Sequence, residues 1–349
     1  MFNYNIKKII VILVITMIVS FSAAAIITIA AGGIHMTSMG MNQKNSQSYS
    51  VNEEKANKVN DIKEIYVENS FPDINVKVEN TDEVKAHLYG NITSIFKPNL
   101  EAKVEGNKLI IKSLSESHLG FVNISGNLNL DITIPSSYNS NIEINSSSGK
   151  VTALSALKLS NFKLHITSGD ANLKDLTAED LTVNSTSGVI NGEKITSKKA
   201  LIKSTSGDIT FNNLISDSLD ISSSSGRING DTINSKDTSL SSTSGDMNIS
   251  AFKGNINQKT SSGKILITYS EFNNNVKLSS TSGDITLNLP KDAQFKLNSK
   301  TTSGDINCSF PITIQEESKR ENLLIGTVGS DKNSIEIKAS SGNVNLTSK

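Results

Sequence analysis

The sequence has no tryptophan, one cysteine and five prolines in 349 residues, and only 5 % of its residues are aromatic. A single thiol, Cys308, excludes an intrachain disulfide framework and any cysteine-rich zinc or iron–sulfur site. The shortage of aromatics removes the platforms usual in clefts that cleave sugars. No charge of either sign is in excess: Lys+Arg and Asp+Glu are 34 each. No global field therefore draws the chain to nucleic acid. The four histidines, His35, His87, His118 and His165, are far apart in sequence. There is no H-E-x-x-H pair for a metal and no G-x-S-x-G elbow for a serine nucleophile. Beyond the N-terminal run, no helical periodicity of useful length occurs, which excludes βαβ units.

What is present begins with one long apolar run. Lys7 and Lys8 precede Ile9–Ala31, a stretch with no ionisable residue. As a helix rising about 1.5 Å per residue, it is long enough for a hydrocarbon core of about 30 Å. The two lysines place the N-terminus in the cytoplasm and everything after Gly33 outside. A cleaved signal peptide is the rival reading, since Ala23-Ala24-Ala25 offers a small-residue site. The apolar run continues past that site through Ile26, Ile27 and Ile29, which favours a single uncleaved span. Residues 1–34 are thus read as a cytoplasmic start and transmembrane anchor. Residues 35–60, polar and without periodicity, are read as a flexible stalk.

The dominant feature is a repeat. Ser-Gly preceded by Ser or Thr recurs after residue 145 at Gly149, Gly169, Gly188, Gly207, Gly226, Gly245, Gly263, Gly283, Gly304 and Gly342. The steps are 20, 19, 19, 19, 19, 18, 20, 21 and 38 residues, the last reading as two periods with one motif missing. A fixed period of this length marks a solenoid. The residue two after each glycine is always apolar, from Val151 to Val344. Pairs such as Ile142/Ile144, Leu181/Val183 and Leu219/Ile221 alternate before the corner, as strands with one buried face do. Each period reads as a strand, a corner, a second strand and a looser return. Glycine supplies the positive φ of a tight corner, and the serines and threonines hydrogen-bond nearby backbone or one another. About ten coils at about 4.8 Å give a length on the order of 45 Å. Cys308 falls on the inward register, as a small apolar residue.

The residue after each glycine carries a second rhythm. From Asp208 through Arg227, Asp246 and Lys264 to Asp284 the sign alternates strictly. Coils stacked in register would set each carboxylate beside a cation, which is favourable across a ladder. Asp284 and Asp305 break the rule. The Gly-Asp pairs are not a calcium β-roll, which needs several glycines on a nine-residue beat.

Residues 61–140 are also strand-rich but less regular, and read as an entry that caps the solenoid at 141–349. The strand ending "DITIPSS", the serial "SSSGKV" and "STSGDI" motifs and "ITLNLPKDAQFKLNSKTTSGDI" at 285–306 resemble the putative-adhesin (DUF4097) domain of bacteria. The resemblance covers about residues 61–349. It implies an extracytoplasmic β-solenoid and brings no catalytic motif. Some relatives are associated with envelope stress responses.

The sequence therefore predicts an all-β protein, a parallel β-helix of roughly 19-residue coils behind one transmembrane helix. It is expected in the cell membrane, single-pass, with its bulk outside. The expected function is non-catalytic interaction with cell-wall polymer or an envelope protein, without cofactor, metal or nucleic acid. A stress sensor built on the same solenoid is the alternative, and a polysaccharide-active enzyme the third reading.

Overall fold

The computed structural model of the chain describes residues 46–114, 125–315 and 322–349. The chain divides into two compact units, Met1–Gln47 and Ser48–Lys349, and the described residues belong almost wholly to the second. The expected span Ile9–Ala31 lies outside them. Among the described residues no helix is long and apolar enough to cross a membrane, and every regular element is a strand.

In chain order the first strands are β1 (Gln47–Lys58), β2 (Glu64–Asn69), β3 (Asp73–Glu79), β4 (Glu83–Ser94), β5 (Asn99–Glu105), β6 (Lys108–Leu114) and β7 (Ser125–Pro135). The repeat supplies β8 (Asn141–Ser146), β9 (Val151–Ala153), β10 (Leu157–Ile166), β11 (Ala171–Ser185), β12 (Ile190–Ser204), β13 (Ile209–Ser223), β14 (Ile228–Ser244), β15 (Met247–Ser262), β16 (Ile265–Tyr269), β17 (Val276–Ser282) and β18 (Ile285–Leu289). The chain ends with β19 (Phe295–Lys300), β20 (Ile306–Cys308), β21 (Thr313–Ile314), β22 (Leu323–Val328), β23 (Ser334–Ser341) and β24 (Val344–Ser348).

The central coils stack in parallel. Ala171, Ile190, Ile209, Ile228 and Met247 pair in one column. Alternation puts these side chains inside, where Ile190, Ile195, Ile202 and Ile209 have no exposed surface. Burying one such side chain is worth roughly 1.5–3 kcal/mol. The 19-residue step keeps most of the inward columns apolar, so the core is continuous.

Each coil turns at three corners rather than two. In β12 the inward alternation breaks at Glu193-Lys194 and again at Lys198-Lys199, before the S/T-S-G corner at 205–206. The first of these breaks is made by left-handed residues on the same beat: Asp175, Lys194, Asn213, Thr232 and Ala251, with φ between 49° and 57°. The "looser return" is therefore regular, and each of β11 to β13 runs unbroken for 15 residues. No shared residue type marks this corner, so tertiary packing holds the left-handed conformation against its local cost.

The ends do not follow chain order. At the N-terminal end β2 and β3 lie directly on β8 and β9. The intervening chain crosses to the far side, where β6 and β7 pair with β2 and β3. β5 and β4 close this end antiparallel to β6 and β7. At the C-terminal end β23 and β24 lie on β17 and β18. β19 and β20, although earlier in the chain, lie outside them. β22 closes the end antiparallel to β19, and β21 pairs with β22. The corner glycines thus stack in the order Gly263, Gly283, Gly342, Gly304.

Three expectations are corrected. Within 61–140, β2–β3 is an in-register coil, and only the excursion from β4 to β7 caps the stack. The 38-residue step from Gly304 to Gly342 contains the β21–β22 cap and not a degenerate coil. Of the supposed stalk, residues 47–58 form β1, which pairs with β4. Only Val51 of β1 is fully buried, so the strand shows no apolar alternation. Side-chain bonds dock it instead: Glu53 accepts the backbone N–H of Leu100 at 2.8 Å, and Asn52 meets His87 at 2.7 Å.

Candidate functional site

The ten corner glycines stack in contact along one edge. A Cβ on any of them would sit 1.7–2.4 Å from the carbonyl oxygen of the residue at the same corner one coil away, Pro72 for Gly149 and glycine for the rest. Only Gly263, Gly283, Gly304 and Gly342 have positive φ, between 128° and 139°. For the other six the requirement is close backbone approach, not the unusual φ expected from sequence.

The charge ladder is mainly a backbone device. Asp208 Oδ1 accepts the backbone N–H of Arg227 at 2.8 Å. Asp246 does the same for Lys264 at 2.8 Å, and Asp170 for Val189 at 2.9 Å. Asp73, at a corner without glycine, does so for Lys150 at 2.8 Å. The two-coil rhythm follows, because each aspartate satisfies the free N–H of the next coil. Arg227 adds an ion pair to Asp208 at 2.8 Å, and these two bonds hold the Asp208 carboxyl below its ordinary pKa. Val189 in a cation's place is explained, since only its N–H is used. Asp284 and Asp305 are not neighbours: Asn343 lies between them, donating to Asp284 and accepting from the N–H of Asp305.

A large concavity lies at a different corner. It is a trough of about 1450 Å³ running across successive coils. Its floor is the strand backbone at the buried column Ala178, Ser197, Ser216 and Ser235, between two rows of outward side chains. One wall is Thr177, Thr196, Ile215 and Asn234, in register on adjacent coils. The other is Glu179, Lys198, Asp217 and Lys236. This rim alternates in sign, with ion pairs Lys198–Glu179 at 2.6 Å and Lys236–Asp217 at 3.6 Å. The bond to Glu179 raises the Lys198 pKa. Asn139 stands at one end of the trough and Glu271–Asn274 at the other, with Phe272 packed on Tyr269 and Phe295. Sequence reading missed this rim, although the residues nine before Gly188, Gly207, Gly226 and Gly245 show the same alternation.

The histidines do not converge. His87 stacks on Tyr89 at 4.7 Å, and His165 bonds Asn184 at 3.1 Å; His35 and His118 lie outside the described residues. Among the described residues no three of His, Cys, Asp or Glu form a metal-binding group. Cys308 is half-buried, and burial pushes its thiol pKa up.

These features define a class: an all-β solenoid that presents repeated polar side chains along open, multi-coil surfaces. The chain belongs to the Toastrack DUF4097 family, which matches residues 62–231 and 205–347. A putative adhesin of Parabacteroides distasonis is 14% identical over 85% of this chain and 97% of its own, with a TM-score of 0.44. One from Parabacteroides merdae is 15% identical over 84% and 95%, with a TM-score of 0.44. A putative lipid binding protein of Parabacteroides distasonis is 16% identical over 84% and 96%, with a TM-score of 0.40. No curated protein matches the chain.

Proposed function

We propose that this is a non-catalytic, adhesin-like binding protein of the bacterial envelope, held to the membrane by Ile9–Ala31 and displaying its solenoid outside. The observation that carries the reading is the trough. It spans successive coils, is bounded at both ends and offers polar groups at a fixed spacing of about 4.8 Å. A ligand matching such a surface is elongated and itself repetitive, such as a cell-wall polymer or an extended segment of an envelope protein. The uncharged run behind Lys7 and Lys8 supports the anchor and the orientation.

The test is sedimentation of the detergent-purified full chain with isolated cell-wall material. Thr196 and Asn234 are exposed on the trough wall, so Thr196→Trp with Asn234→Trp fills the trough without entering the core. The wild type should co-sediment and the filled variant should lose most of that binding. Equal retention of both proteins contradicts the proposal.

A further inference from the structure

Where two charged residues pair in register on the coils, they are of opposite sign: Glu143–Lys163, Lys174–Glu193, Asp180–Lys199 and Lys277–Glu336. One pair departs from this. Lys300 of β19 lies directly beside Lys338 of β23. Like charges set opposite one another in a ladder cost stability, which an uncharged residue at either position would avoid.

The pair belongs to a patch. Four neighbouring stretches stack in the order Ile256–Ser262 of β15, β17, β23 and β19. On their outward side stand Lys259, Lys277, Lys338, Lys296 and Lys300, all exposed, with Glu336 as the single carboxylate. Glu336 is shared between Lys277, at 3.5 Å, and Lys338. Lys259, Lys296 and Lys300 have no ion pair among the described residues. The patch spans roughly 14 Å along the stack and 13 Å along the strands. The chain as a whole carries no net charge. The interleaved order of the C-terminal end, with β23 between β17 and β19, gathers these lysines from separate stretches of sequence onto one face.

We infer that this face docks a linear phosphodiester polymer, on a surface separate from the trough and independent of what the trough holds. Lys300 and Lys338, about 4.8 Å apart at the backbone, can each donate to one of the two free oxygens of a single phosphodiester. Lys259 lies two coils further along the column of Lys338, so a chain laid along the stack meets a second cation after the pair. A shallow depression of about 590 Å³ crosses β13 to β23 on the same side and ends at Lys277 and Glu336. Asp220 and Asp237 line its other part, which confines a polyanion to the last four coils. The patch has no aromatic side chain on which a nucleic-acid base would stack. It has no exposed large apolar side chain to enter a bilayer or anchor a protein partner. Binding therefore rests on several charge contacts in series, so it grows with polymer length and weakens with salt.

The probes are soluble poly(glycerol phosphate) and its monomer, glycerol phosphate, titrated against the detergent-purified full chain. The polymer should bind, the monomer should not compete at equal phosphate concentration, and added salt should weaken the complex. Lys296→Gln, Lys300→Gln and Lys338→Gln together should lower affinity about tenfold or more, with Tm unchanged or raised because the Lys300–Lys338 repulsion is gone. Lys163→Gln, Lys174→Gln and Lys199→Gln remove the same charge from positions that face carboxylates. That variant and the trough-filled variant should both bind as the wild type does. Bound polymer should also shield Lys259, Lys296, Lys300 and Lys338 from amine acetylation, read by mass spectrometry. Absence of polymer binding, full competition by the monomer, or equal loss in the two triple variants would each overturn the inference. Tighter binding of a single-stranded oligodeoxynucleotide of equal charge would overturn it in favour of nucleic acid. Shielding of these lysines by phosphatidylglycerol bilayer discs and not by the polymer would overturn it in favour of the membrane. Loss through trough filling alone would overturn it by assigning the polymer to the trough.

Discussion

Asp284 accepts the backbone N–H of Asn343 at 2.9 Å, although 59 residues separate them in the chain. The last coil of the sequence is thus the next-to-last coil of the stack. That placement separates Asp284 from Asp305, which adjacent coils in chain order would have set one above the other. It also keeps both edges of β24 paired, with β18 on one side and β20 on the other.

Removing residues 329–349 should therefore act like an internal deletion. It takes out β23 and β24 and leaves β17–β18 and β19–β20 with unpaired facing edges. Circular dichroism on the truncated chain should show loss of β-structure beyond the deleted residues, with a lowered Tm. A Tm equal to wild type would refute the interleaved order.

At the corner, Gly207→Ala should be severely destabilising, by several kcal/mol, because its Cβ would meet the Gly188 carbonyl oxygen at 2.0 Å. Gly106→Ala is the comparison. It has φ +62° and nothing within 4 Å, so it pays only the left-handed backbone cost of about 1 kcal/mol. Denaturant titration of the two variants should separate them clearly.

In the core, Gln258 has no exposed surface and its Oε1 has no partner, while its column neighbours are Leu240 and Leu278. Gln258→Leu removes the unpaired group and forfeits one weak bond to the Met247 sulfur. It should raise stability by about 1–2 kcal/mol. A destabilised variant in urea unfolding would show that the glutamine is satisfied in solution.

For the ladder, Asp208→Ala should cost about 1–2 kcal/mol, through loss of the bond to the Arg227 N–H. Asp208→Asn, which keeps an acceptor oxygen, should cost less. Arg227→Asp leaves the backbone bond in place, so its effect should be smaller than that of Asp208→Ala and should fade with added salt. Equal losses for both alanine and asparagine would mean that charge, not the backbone bond, sets the rhythm.

The acid limb of stability follows from depressed carboxyls. Hydrogen bonds from Arg227 lower the Asp208 pKa below 3.8, and a hydrogen bond from Lys338 lowers that of Glu336 below 4.5. A group depressed in the folded state stabilises fully above its unfolded pKa, and that stability is lost as pH falls through the folded value. Tm should hold down to the ordinary carboxylate range and then decline. In Asp208→Asn the decline should be shallower.

The repeat was legible because ten corners share glycine where backbones touch and an apolar residue two positions later. The left-handed corner was not, since Asp175, Lys194, Asn213, Thr232 and Ala251 share no chemistry. Nor was the order at the ends. β23–β24 reads as an ordinary repeat unit, and nothing local says which coil it joins. β1 escaped notice because its docking rests on Glu53, Asn52 and a single buried valine. The trough was legible in principle, from the small column Ala178, Ser197, Ser216 and Ser235 and the alternating rim beside it. The hydrogen bonds expected from the Ser and Thr just before each corner glycine come instead from Ser146, Ser185 and Ser204, three before it, which donate to the carbonyls of Gly149, Gly188 and Gly207.

The central claim is binding without cleavage on an open trough. The most direct measurement is to incubate the full chain with purified cell-wall polysaccharide and determine both the fraction bound and the chain length of the recovered polymer. The account predicts retention that falls in the Thr196→Trp/Asn234→Trp variant, with polymer length unchanged in every case. Shortened polymer, or retention indifferent to filling the trough, would contradict it.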